Sequence, residues 1–164
     1  MPHYLTKEFQ EFPHGGYLAH RFDFFIDSDS FLAIFSEVDI AAPEYHMFRN
    51  EEVGFIIPSC CYDVKFDRLE NFEQGNFYAL PTRGQSSKSF NFSTRLAQAL
   101  ITIITLHYKT YRAKAYFAVA ETHKLKRFYD RVLQQPQHDI GYEIITGLGD
   151  GGMGYALKTK YFHD

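Results

Sequence analysis

The sequence predicts a mixed α+β fold. The expected form is a central twisted sheet of about seven strands flanked by helices, in the order β-α-(α)-β-β-β-α-β-α-β-β. Three observations lead there. Several short segments alternate apolar and polar residues with a period of two. Two longer segments repeat their apolar residues at helical spacing. The connections are mostly short and polar, which suits antiparallel neighbours, except for one long crossover that requires a parallel pair.

Taken in order, residues 17–26 place Leu18, Phe22, Phe24 and Ile26 on one parity and read as the first strand. Residues 27–30 (DSDS) offer N-cap oxygens ahead of Phe31, Leu32, Ile34, Phe35 and Val38, so a short amphipathic helix is expected there. Pro43 is placed to open a second short helix over 43–52. Three strands are then expected, at 53–58, 61–69 and 76–82. In the second, Tyr62, Val64 and Phe66 alternate with Asp63, Lys65 and Asp67. After the polar loop 83–89, Leu96, Leu100, Ile103, Ile104 and Tyr111 mark one face of a long helix from about Ser93 to Arg112. Residues 115–121 read as a buried strand and the parallel neighbour of 76–82. Thr122 caps the next helix, with Leu125, Phe128, Tyr129, Val132 and Leu133 on its apolar face and Pro136 past its end. Strands at 141–146 and 154–162, joined by GLGDGGM, close a single domain over 1–164.

Composition narrows the function. The chain has 164 residues and a net charge of -3, which argues against a general nucleic-acid binder. That total conceals a split. Residues 1–82 carry 5 Lys/Arg against 14 Asp/Glu, whereas 83–164 carry 12 against 6. Aromatics are abundant, with 17 Phe and 12 Tyr. The two cysteines, Cys60 and Cys61, are adjacent, so two free thiols and a reducing compartment are expected. The eight histidines form no HExxH, and no metal site is expected. The N-terminal residues are polar and acidic, unlike a targeting peptide, and the apolar run 96–106 is too short and polar for a bilayer. A cytoplasmic protein is the expectation, with no membrane contact.

One stretch goes further. Residues 118–132 read AVAETHKLKRFYDRV, with the pair Phe128-Tyr129 seven residues after Thr122. Together with the element order, this resembles the GNAT superfamily of acyl-CoA-dependent N-acyltransferases. In that family the strand is followed by a helix carrying an Asn near its start and a hydrophobic-Tyr pair. The resemblance covers roughly residues 75–162 in pattern, and residues 17–75 in element order alone. Two departures stand out. Thr122 replaces the usual Asn. The pyrophosphate loop, normally Arg/Gln-x-x-Gly-x-Gly/Ala, reads Arg83-Gly84-Gln85-Ser86-Ser87-Lys88-Ser89.

The resemblance implies acetyl-CoA as the acyl donor and a set of site residues. Arg83, Gly84, Gln85, Ser86, Ser87 and Lys88 would meet the pyrophosphate ahead of a helix N-terminus, where amides and the helix dipole favour anions. Leu80 to Thr82 would offer backbone to the pantetheine, although Pro81 lacks an N–H. Thr122 would stand at the family's Asn position. Tyr129 would donate a proton to the departing thiolate; periodicity alone makes it a core aromatic. The general base is unassigned among acids such as Glu37, Asp39, Glu51 and Glu52. GLGDGGMG at 147–154 lacks GK[ST] and a following helix, so it reads as a flexible hairpin loop rather than a phosphate loop, with a flap bordering an acceptor site as the alternative.

The function expected from these residues is transfer of an acetyl or other acyl group from acyl-CoA to an amine, by direct attack on the thioester. The acidic half suggests a cationic acceptor. The alternative is a non-catalytic GNAT-like interaction or regulatory module using an exposed aromatic patch. A nucleic-acid binder using Lys109, Arg112, Lys114, Lys124, Lys126, Arg127 and Arg131 is disfavoured by the acidic half. A homodimer stays open.

Overall fold

A computed structural model describes residues 3–4, 9–14, 17–75, 91–134 and 143–163. Its strands are β1 (His3–Tyr4), β2 (Gln10–His14), β3 (Tyr17–Ile26), β4 (Asp29–Glu37), β5 (Cys61–Arg68), β6 (Ala115–Val119), β7 (Glu143–Leu148) and β8 (Gly154–Lys158). The helices are α1 (Pro43–Val53), α2 (Leu69–Gln74), α3 (Phe92–Tyr111) and α4 (His123–Gln134). All eight strands join one mixed sheet in the order β1-β3-β4-β5-β6-β8-β7, and β2 also pairs with β3. β1 and β2 meet different stretches of the same strand, so the sheet is seven positions wide. Among the described residues only β5 and β6 run parallel, and the other pairings are antiparallel. The expected fold class and strand number hold.

Alternation explains the first strand. Phe22, Phe24 and Ile26 are fully buried on one parity of β3, under α3. Leu18, near the strand's start, is exposed. The helix expected after residue 30 is instead β4. Asp27 and Ser28 form a two-residue hairpin turn, Asp27 taking a left-handed φ of 55°, and Ile26 pairs with Asp29. β4 is central and covered on both faces. Phe31, Ala33 and Phe35 face α3, while Leu32 and Ile34 pack near Leu69 and Phe72 of α2. A strand buried on both sides is apolar at both parities, which mimics helical spacing.

Pro43 opens α1 as expected. The strand expected at 53–58 does not form. Gly54 ends α1 in the left-handed region, at φ 84°, and its N–H returns to the Asn50 carbonyl at 2.9 Å. The next backbone groups are met by α1 side chains: Asn50 Oδ1 accepts the Ile57 N–H at 2.7 Å, and His46 Nε2 lies 2.8 Å from the Ile57 carbonyl oxygen. With these partners the segment needs no strand neighbour. The expected connection at 70–75 contains α2. The strand expected at 76–82 lies outside the described residues.

The long helix follows the pattern. Nine α3 residues are buried, among them Leu96, Leu100, Ile101 and Ile103. α3 and α4 cover one face of the sheet, and α1 and α2 cover the other. Each fully buried aromatic on the α3 side contributes roughly 1.5–3 kcal/mol of transfer free energy. Among the described residues, no helix is long and apolar enough to cross a membrane.

Candidate active site

The sheet opens between its two parallel strands. β5 and β6 pair only from Cys61↔Ala115 to Asp63↔Phe117. β5 continues to Arg68 on β4, and β6 continues to Val119 on β8. Among the described residues, no ladder joins the two edges beyond the last pair. The parallel neighbour of residues 115–117 is thus 61–63; the expected neighbour, 76–82, lies outside the described residues.

This opening reaches both faces. On the α3/α4 side it leads into an apolar cavity of about 70 Å³. On the α1/α2 side it leads into a cleft of about 540 Å³. Val64, Phe117 and Ala118 line both. Among the described residues the cleft is lined by Glu37, Asp39, Asp63 and Glu121 and by Lys65, with Tyr45 and Val119 beside them, and Arg49 pairs with Asp63. A further cavity of about 440 Å³ lies between α1 and the β7–β8 loop and is lined by Glu51, Glu52 and Asp150. Of the four acids named from sequence, Glu37 and Asp39 fall on the cleft at the strand opening, and Glu51 and Glu52 on this neighbouring cavity.

The walls are braced. Arg49 of α1 donates to both carboxylate oxygens of Asp63, at 2.6 and 2.8 Å, and to the Tyr45 hydroxyl at 2.8 Å. Its guanidinium pKa is raised although burial opposes the charge, because these oxygens stabilise the cation. Glu37 Oε2 accepts the Cys60 N–H at 3.1 Å. In the β7–β8 loop Gly149, Gly151 and Gly152 have φ of 72°, 76° and 69°, a left-handed backbone that favours glycine. The expected hairpin loop therefore forms, and Gly149 and Asp150 border the cavity beside α1.

Tyr129 lies on the first turns of α4, 8% exposed, in the wall of the apolar cavity. Its ring is edge-on to Tyr155 at 5.7 Å and to Phe66 of β5 at 6.1 Å. The side chain is packed, as periodicity implies, and lines the cavity that begins at the strand opening. Tyr155 fixes the helix, its hydroxyl donating to Asp130 Oδ1 at 2.7 Å. Thr122 caps α4 as expected, its Oγ1 accepting the Leu125 N–H at 3.0 Å. Thr122→Ala is expected to cost about 1 kcal/mol of unfolding free energy. Urea denaturation measures this, with the midpoint lowered and the slope unchanged. Leu80, Thr82, Arg83, Gly84, Gln85, Ser86, Ser87 and Lys88 lie outside the described residues.

Sequence reasoning missed a buried polar chain at the closed end of the opening. His20 Nδ1 and His107 Nε2 are 2.8 Å apart, and His107 Nδ1 is 2.7 Å from the Tyr116 hydroxyl. Phe35 stacks on His107 at 4.0 Å and Tyr111 on His20 at 3.8 Å. Burial pushes the His107 pKa down to about 2. His20 and His107 are 87 residues apart, so no local spacing signals their contact. Both thiols are free, and burial raises Cys61 to about 12. Among the described residues no three His, Cys, Asp or Glu side chains gather in metal-binding range.

The chain matches no protein-family model, and neither curated proteins nor solved structures give a match.

Proposed function

We propose that this protein is a GNAT-type N-acyltransferase that moves an acyl group from acyl-CoA to a cationic amine. The observation that carries this reading is the parting of β5 and β6 beyond Asp63 and Phe117, with a cavity on each face of the gap. Open strand edges offer N–H and C=O groups to the amides of a pantetheine arm. In this reading those edges are Val64 to Phe66 and Ala118 to Val119.

The two faces then serve two substrates. The donor enters from the α3/α4 side, where Tyr129 stands in the wall. The acceptor enters through the acidic cleft on the α1/α2 side. There Glu37, Asp39 and Glu121 favour an ammonium, and a carboxylate removes the proton that frees its lone pair. The nitrogen attacks the thioester carbonyl, a C–N bond forms, and the C–S bond breaks. Tyr129 gives its proton to the thiolate, the nitrogen sheds its second proton to solvent as the amide forms, and Tyr129 is reprotonated from solvent. The loop 83–89 ahead of α3 supplies the pyrophosphate contacts that the resemblance implies.

A second reading, an interaction module, draws on the exposed apolar side chains Met47, Phe48 and Ile56 on and after α1. One experiment separates the two. Saturating acetyl-CoA, at about a hundred times its dissociation constant, is expected to raise the melting temperature by roughly 5–10 °C. Free CoA is expected to appear when cationic amines are added. Absence of both the shift and CoA release across a broad amine panel overturns the acyltransferase reading.

A further inference from the structure

The apolar cavity on the α3/α4 side is larger than an acetyl group requires. Val64 and Phe66 of β5, Leu100 and Ile104 of α3, and Val132 and Leu133 of α4 line it, and it is open on one side. It begins at the strand opening, because Val64, Phe117 and Ala118 border both it and the cleft. An apolar cavity of about 150 Å³ holds a benzene ring. By that measure about 70 Å³ takes roughly three carbons. An acetyl group has one carbon beyond its carbonyl. With the carbonyl held at the gap, the remaining space would stay empty.

We propose that the preferred donor is a short-chain acyl thioester of about four carbons, whose alkyl tail fills this cavity. The proposal rests on the acyltransferase reading for the carbonyl's position, and on the cavity alone for the tail. The walls offer aliphatic and aromatic carbon, so they select by length and shape rather than by hydrogen bonding. Discrimination therefore follows the number of methylenes buried. Butyryl-CoA has two more than acetyl-CoA, which corresponds to roughly fifteenfold tighter binding. Octanoyl-CoA overruns the cavity and loses that gain.

The test is a titration of the full chain with CoA and its acetyl, butyryl, hexanoyl and octanoyl thioesters, by calorimetry and by kcat/KM. The expected result is an affinity maximum at butyryl. Val132→Ala is expected to move the maximum to hexanoyl, and Ile104→Phe to move it back to acetyl. A role for these residues in folding alone would not shift the order of donors. Thermal shift with 1-butanol as the probe, on parent and Ile104→Phe proteins, examines the cavity without CoA. Selective stabilisation of the parent where no thioester binds refutes the acyltransferase reading and the proposed donor with it, and leaves only an alkyl-binding cavity. Equal affinity for acetyl-CoA and butyryl-CoA, unmoved by either variant, overturns the inference and leaves acyl transfer standing. No thioester binding together with no effect of 1-butanol overturns both.

Discussion

Tyr129→Phe is expected to lower kcat about a hundredfold and to leave the dissociation constant for CoA nearly unchanged. The reason is the division of labour in the ring. Tyr129 packs edge-on against Phe66 and Tyr155, and a Phe ring fills the same space. Only the hydroxyl is lost. If that hydroxyl protonates the leaving thiolate, the loss falls on the transition state, and kcat and kcat/KM fall together. Restoring turnover with donors whose leaving thiol has a lower pKa would identify the missing proton. Unchanged turnover in the variant would return Tyr129 to a purely structural role.

Acidification from pH 7.5 to pH 5 is expected to cost about 2 kcal/mol of stability through His107 alone. In the folded chain His107 is completely buried and stays neutral, its pKa lowered to about 2 by burial and by His20. In the unfolded chain it titrates near 6.5. Below that value the unfolded state binds a proton that the folded state refuses, so stability falls as pH falls, down to the folded pKa. His20 shifts the same way, because burial outweighs Glu11 and Glu37. Urea titrations at several pH values measure the slope. His107→Phe lowers the baseline by leaving the Tyr116 hydroxyl and His20 without their partner, but its curve is expected to be flatter between pH 6.5 and 5. Parallel curves for parent and variant would refute the assignment.

The parts of this fold legible in sequence are those whose pattern depends on one face. β3 over residues 20–26 and α4 each bury mainly one side, so period two or period 3.6 shows through. β4 was misread as a helix because α2 and α3 cover it on both faces and both parities became apolar. The apolar run at 55–57 was misread as a strand because its backbone partners, Asn50 and His46, belong to the preceding helix. The split in charge was visible, but not its placement. Three of the four acids on the cleft come from the first half of the chain, and Glu121 comes from the second. The Arg49–Asp63 pair and the His20–His107–Tyr116 chain depend on tertiary contact and leave no trace in local spacing.

The most direct measurement is a crystal structure of the full chain with a butyryl or acetyl thioester of CoA, or its inert thioether analogue. The expected complex has the pantetheine arm between Val64–Phe66 and Ala118–Val119, with the sulfur beside Tyr129 and the acidic cleft open to the carbonyl. A complex in which β5 and β6 close on one another past Asp63 and Phe117, or in which CoA binds elsewhere on the protein, contradicts it.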